Sequence, residues 1–142
     1  PYFVPSEAAL MALTSAALRG VDTAVVVPRR SDSRMVTFAA RSYFEHLAAA
    51  GVRVYEFPRM LHTKALLIDD DTAILGSSNF DVRSFRLNFE LSMLFEDPAL
   101  ADALARILYG YLNESTRFDA RTPVPMPERL AQAAARLFSP LL

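Results

Sequence analysis

The chain has 142 residues, 52% of them hydrophobic and 22% charged, with a formal net charge of −1. That balance fits a folded domain with a real core and excludes a disordered chain. The lack of cysteine excludes disulfides and thiolate metal sites, and the near-neutral charge argues against the broad basic field of a dedicated nucleic-acid binder.

In chain order, Tyr2, Phe3 and Val4 read as the end of a buried strand. With no initiator Met before them, the chain is expected to be part of something longer, cut just before or inside its first strand. Ser6 is a good N-cap for a helix to about Arg19, with Leu10, Leu13, Ala17 and Leu18 as its stripe and Gly20 as its stop. Residues 23–27 form a β-branched run ended by Pro28, hence a buried strand. After a polar loop at 29–33, the pattern predicts one helix over 35–49, stopped by Gly51, and a strand over 52–57. This β-α-β-α-β order points to an α/β fold with a mixed, largely parallel sheet flanked by helices.

Residues 61–68 and 72–75 then read as strands joined by a turn at Asp69, Asp70 and Asp71. Residues 88–95 alternate, with Phe89, Leu91, Met93 and Phe95 on one face and Asn88, Glu90 and Ser92 on the other. Phe89 is therefore expected in the core. Asp97 and Pro98 open a helix to about Leu112 by cap and Pro-at-N1 chemistry. Residues 1–113 are expected to form the domain proper. Residues 114–142 are expected to form a Pro-rich tail with a short helix, 128–138, packed back through Leu130, Ala134, Leu137 and Phe138. Membrane-surface contact is disfavoured for that helix because its polar face has only two arginines. No apolar run approaches the roughly 20 residues that span a bilayer.

Charge is uneven. Residues 28–64 hold seven basic groups against three acidic ones, and residues 61–120 reverse the balance. This is either ordinary solvated surface or a local anion site. Fourteen of the fifteen basic residues are arginine; Lys64 is the exception, two residues from His62 inside an apolar run. On a strand, both side chains would share a face. A compact ammonium group there differs from arginine's planar fork and needs a partner. Ser77 and Asn79 offer small donors at the end of the next strand, and Glu90 could accept the Nδ1 proton of His62 and fix its tautomer. His62 by itself would read as a core histidine. Together the groups suit a phosphoryl centre, with an attacking nitrogen, a cation for the equatorial oxygens and neutral donors alongside.

The run His62-x-Lys64-x4-Asp69-x6-Gly76-Ser77-x-Asn79, with Glu90 downstream, resembles the H-x-K-x4-D-x6-G-S-x-N signature of the phospholipase D superfamily. The segments at 1–5, 31–34, 41–44, 83–90 and 137–142 are similar to the second half of bacterial-type cardiolipin synthases. The resemblance implies an α/β/α phospholipase D-like half-domain that uses no metal or cofactor. It implies that His62 is one of two catalytic histidines, that Lys64 and Asn79 bind phosphate oxygens, that Glu90 orients His62, and that Ser77 assists. Asp69 would be structural, and Arg34 and Arg83 would help to hold substrate.

His46 starts no second motif. The resemblance therefore implies a partner: a first half with its own histidine, from the same longer chain or from a second subunit. It implies an anionic phospholipid substrate and a membrane surface on the cytoplasmic side, with no nucleic acid. A phosphodiesterase or nuclease delivering water to the same centre is the alternative, and a lipid-binding module without turnover is a third reading.

Overall fold

The computed structural model describes residues 1–138. In chain order the elements begin β1 (Phe3–Val4), α1 (Glu7–Leu18), β2 (Ala24–Pro28), α2 (Arg34–Arg41), α3 (Phe44–Ala49) and β3 (Arg53–Phe57). They continue β4 (Ala65–Ile68), β5 (Thr72–Gly76), β6 (Phe80–Asp81), α4 (Val82–Arg86), β7 (Ser92–Glu96), α5 (Pro98–Glu114), β8 (Thr116–Arg117) and α6 (Met126–Leu137). The fold is mixed α/β. β2 and β3 pair in parallel, as do β1 and β6. β8 joins β3 antiparallel, and β4, β5 and β7 form an antiparallel sheet.

Local chemistry explains the boundaries. Ser6 accepts the amide proton of Ala9 to start α1, and Gly20 takes the positive φ of 89° that ends it. Gly51 does the same at +96° after α3. The core gathers where α2 and α3 cover the parallel strands, around Val4, Ala39, Phe44, Leu47, Val52 and Val54. Phe118 meets Phe44 edge-on, and Phe3 stacks on Phe80 to tie β1 to β6.

Four expectations need correction. The helix predicted over 35–49 is two helices. The Ser42 hydroxyl donates to the Ala39 carbonyl at 2.6 Å, and α3 restarts at Phe44 without a side-chain cap. The strand predicted over 61–68 begins only at Ala65, because β5 ends at Gly76 and offers residues 61–63 no partner. For the same reason β7 starts at Ser92, and the alternating residues 88–91 overhang the sheet. Phe89 is fully exposed there, and Leu91 and Met93 are exposed too. Finally, α6 packs on α2 by its other side. Ala135 enters the core, and Arg136 lies over the Tyr43 ring at 4.9 Å. Leu130, Ala134, Leu137 and Phe138 face outward. Residues 139–142, part of the family-like ending, lie outside the described residues.

Among the described residues the antiparallel sheet is covered on one side only. Paired residues share a face, so Leu67, Ala73 and Phe95 line one side, where Ala73 is fully buried and α5 contributes Ala101 and Leu104. On the other side Leu66 and Leu94 flank Ile74, and Leu66, Ile68 and Leu94 are exposed.

The burial pattern ranks two phenylalanines. Phe44→Ala removes a buried ring and should cost about 3–5 kcal/mol. Phe89→Ala should change stability by no more than about 0.5 kcal/mol. Urea unfolding of both variants reads the difference directly, and the opposite ranking would place residues 88–91 in the core.

Candidate active site

The site forms where three chain segments meet: the lead-in to β4, the turn after β5, and the lead-in to β7. Gly76 makes the meeting possible. A Cβ on it would come within 2.3 Å of the Leu91 carbonyl oxygen and 2.8 Å of the Ser92 Cα. Only a residue without a side chain lets these backbones approach so closely. The ladder then runs one step past the strands on both sides. The Gly76 amide donates to the Lys64 carbonyl at 3.3 Å, and the Ser77 amide to the Leu91 carbonyl at 2.9 Å.

That register sets Ser77 beside Glu90. The Ser77 hydroxyl donates a very short hydrogen bond to Glu90 Oε2 and accepts from the Leu91 amide at 3.1 Å. Asn88 Nδ2 donates to Glu90 Oε1 at 3.2 Å. These two donors, Ser77 above all, hold the Glu90 carboxyl below the usual carboxylate range. Lys64 lies within electrostatic reach of both Glu90 and Asp81. Its partial burial pulls its pKa below the ordinary lysine value, and the two carboxylates oppose that pull. Its Nζ donates to the His62 carbonyl at 3.0 Å, which ties the ammonium to the residue two before it.

His62 is exposed in the irregular lead-in, so it does not share a strand face with Lys64 as expected. Glu90 spends its hydrogen bonds on Ser77 and Asn88, and among the described residues none joins it to His62. Asn79 is half-buried, and its side-chain oxygen is buried without a partner among the described residues. Asp69 stands apart at the far end of β4. It is exposed, at φ 52°, in the β4–β5 turn, roughly 16 Å of extended chain away from Lys64. Arg83 is exposed on α4, and Arg34 opens α2 beside the loop at 29–33.

Two site residues were missed. Asp81, only 2% exposed, accepts the Ser84 amide at 2.6 Å as the cap of α4 and acts electrostatically on Lys64. Its spacing of three from Ser84, just before a helical turn, was the available signal. Asn88 was assigned to a strand face and instead fixes Glu90. Among the described residues no three His, Asp or Glu side chains converge where a metal ion could sit. The cluster therefore offers an accessible imidazole, a cation flanked by carboxylates, a carboxylate locked in its charged form, and an amide with unspent hydrogen-bonding capacity.

Residues 1–110 match the family model described as "Cardiolipin synthase, PLD-like domain". The chain belongs to that phospholipase D-like family. All of it aligns at 41% identity with cardiolipin synthase A of Klebsiella pneumoniae and with that of Citrobacter koseri, and it spans about 30% of the length of each. Its fold is similar to that of the phospholipase D family member Nuc from Salmonella typhimurium (24% identity, TM-score 0.70, covering 82% of this chain and 77% of that one). It is also similar to that of a phosphatidylserine synthase from Haemophilus influenzae (15% identity, TM-score 0.72, all of this chain and 40% of that one). Within this phospholipase D-like fold the motif residues Lys64, Gly76, Ser77 and Glu90 occupy one locale, and Asp69 does not.

Two experiments probe the geometry. Gly76→Ala forces a methyl group into backbone atoms and should cost roughly 1–3 kcal/mol by overpacking, while separating Ser77 from Glu90. Thermal unfolding reads the first effect. Unchanged stability would mean that the close approach is absent. As the only lysine, Lys64 gives a single side-chain resonance in lysine-labelled protein. It should titrate below the ordinary lysine range. Glu90→Gln removes a carboxylate that raises its pKa, so the midpoint should fall further; a rise would contradict the placement of Glu90.

Proposed function

We propose that this chain is the second catalytic half of a phosphatidyltransferase that makes cardiolipin from phosphatidylglycerol, or from a related donor, at the cytoplasmic side of a membrane. The observation that carries the reading is the 41% identity to cardiolipin synthase A over the whole chain, motif cluster included. Lys64 binds the equatorial phosphoryl oxygens, and Asn79 adds a neutral hydrogen bond. One of two histidines, His62 or its counterpart in a first half, attacks phosphorus. A P–N bond forms as the bond to the leaving alcohol's oxygen breaks, and the other histidine gives that oxygen its proton. The acceptor hydroxyl of a second lipid then loses its proton to the same histidine, and its oxygen replaces nitrogen on phosphorus. With phosphatidylglycerol in both roles, the products are cardiolipin and glycerol.

Glu90, with Ser77 and Asn88, keeps a fixed negative charge beside Lys64 and stabilises an imidazolium at His62 as the site closes. Asp69 shapes the turn that aligns β4 with β5. Arg34 and Arg83 contribute positive charge toward the head group. The first half, from the same longer chain or a second subunit, brings the second histidine. It covers the open sheet face around Leu66, Ile68 and Leu94, together with the overhanging Phe89 and Leu91; their exposure and the 30% coverage of the relatives support this.

The test uses the intact protein that carries this chain, given radiolabelled phosphatidylglycerol or single-stranded DNA. Lipid should be converted to cardiolipin and DNA left whole, and His62→Ala should lower transfer by at least about a thousandfold. Full transfer by that variant would remove His62 from the chemistry. DNA cleavage without lipid transfer would favour water as the acceptor. The isolated chain, with one histidine of the pair, should be inert.

A further inference from the structure

A second cationic region lies in the loop after β2, outside the His62–Lys64 cluster but within electrostatic reach of its surroundings: Asp32 in that loop and Lys64 both act on the Pro1 amino group. The loop after β2, the helix α2 and the helix α6 enclose a half-open cleft of about 730 Å³, lined by Arg29, Arg30, Arg34 and Arg41 and, across from them, by Pro127 and Ala131. The four arginines are not equivalent. Arg41 is committed to carboxylates, bonding Glu56 at 2.9 Å and Glu128 at 3.0 Å, and it also donates to the Arg29 carbonyl. These bonds pin α6 onto α2 and set the width of the cleft. Arg29, Arg30 and Arg34 are exposed and have no carboxylate partner among the described residues.

Three free guanidinium groups within six residues repel one another, and the local sequence makes this worse rather than better. Asp32, the one carboxylate between them, is turned away to accept the Tyr2 hydroxyl at 2.8 and 3.0 Å. Arg34 stands at the first position of α2, where the helix dipole disfavours a cation and an acidic residue would be expected; that turn holds none. The loop is nonetheless held in one shape. The Ser31 amide donates to the Thr37 hydroxyl, and the Ser31 and Thr37 hydroxyls both donate to the Ser33 carbonyl. A preformed cationic cleft of this kind fits a phosphate-type anion, for which arginine is the matching donor.

The opposite wall points to the source of that anion. Around α6, Met126, Leu130, Ala133 and Leu137 recur at helical spacing, and all face out of the protein; Met126, Leu130 and Leu137 are 70%, 65% and 81% exposed. Leu130 lies about 100° round the helix from Ala131, so the apolar stripe begins at the rim of the cleft. Arg129 and Arg136 flank it on the other side. The two arginines of α6 by themselves argue against a membrane surface; the fold sets Arg29, Arg30 and Arg34 beside that helix, and an outward apolar stripe bordered by five arginines is the build of a helix lying in an anionic membrane interface.

We propose that the arginine cleft binds the phosphodiester head group of an anionic phospholipid, with the outer stripe of α6 set into the acyl boundary. This second lipid site anchors the chain beside its catalytic centre. The proposal rests on the phosphatidyltransferase reading only for the choice of lipid, and its test reads binding, not turnover.

The test is co-sedimentation of the protein with vesicles of phosphatidylglycerol and phosphatidylcholine, against phosphatidylcholine alone. Binding should require phosphatidylglycerol. The double variant Arg29→Gln, Arg30→Gln, which spares Arg34, should weaken it by roughly thirtyfold. Leu130→Ser with Leu137→Ser should weaken vesicle binding as well, while leaving the binding of inorganic phosphate, followed by calorimetry, as in the unaltered protein. All these side chains are exposed, so the variants should fold, and circular dichroism checks that they do.

His62→Ala should bind vesicles normally, which separates this site from the catalytic reading. Undiminished vesicle binding by the arginine variant would overturn the proposal. So would a stripe variant that binds vesicles normally while phosphate occupies the cleft, since the ligand would then be free phosphate. A stripe variant that turns a dimer into a monomer without loss of vesicle binding would assign the stripe to a second copy, and that too would overturn it.

Discussion

The functional geometry depends on one close approach of backbones, that of Gly76 against Leu91 and Ser92. From it follow the Ser77–Leu91 amide pairing, the Ser77–Glu90 hydrogen bond and the carbonyl of Lys64 held by the Gly76 amide. Three segments with little strand structure of their own are thereby fixed relative to one another. The glycine takes an ordinary φ; what the position demands is the absence of a Cβ, a steric requirement no other residue meets.

The same register organises charge. Lys64, partly buried, faces two carboxylates, Glu90 at the surface and the buried Asp81, so the only lysine sits in a compact group with no net positive field. The arginines follow a different plan. Arg41 is spent on two carboxylates to hold α6 in place, and Arg29, Arg30 and Arg34 have no carboxylate partner among the described residues. A weakly acidic chain can therefore carry two distinct anion-seeking regions, one compact and one spread along a loop. The distinction between lysine and arginine in the sequence follows that division.

The fold class, the caps at Ser6 and Asp97 and the stops at Gly20 and Gly51 were legible because each is local chemistry within a few residues. The motif was legible for a related reason: the distances along β4 and β5 are set by the chain itself. Misreadings came wherever the answer depended on what lies opposite. The alternation at 88–95 and the apolar stripe of α6 are genuine periodicities, but the α6 stripe faces outward and the apolar side of 88–95 is covered only at Phe95, leaving Phe89, Leu91 and Met93 exposed. Periodicity identifies a face; it does not say whether this chain supplies the surface to cover it. The hydrogen bonds of Glu90 were hidden for a similar reason, since Asn88 and Ser77 reach it only through the overhang that cut β7 short.

These misreadings are of one kind and differ in what surrounds them. The open sheet face at Leu66, Ile68 and Leu94 lies on the same sheet whose overhang exposes Phe89 and Leu91 beside Glu90, and no arginine lies within its strands. The stripe of α6 is narrow, one helix wide, edged by Arg129 and Arg136 and bordered by a cationic cleft. A broad apolar surface whose charge is confined to Glu96 at one edge is suited to another folded half, which buries area with little need of counter-charge. A narrow stripe with a cationic border is suited to a lipid interface, where apolar insertion and head-group attraction act together. Charge at the border, more than exposed apolar area, separates the two surfaces.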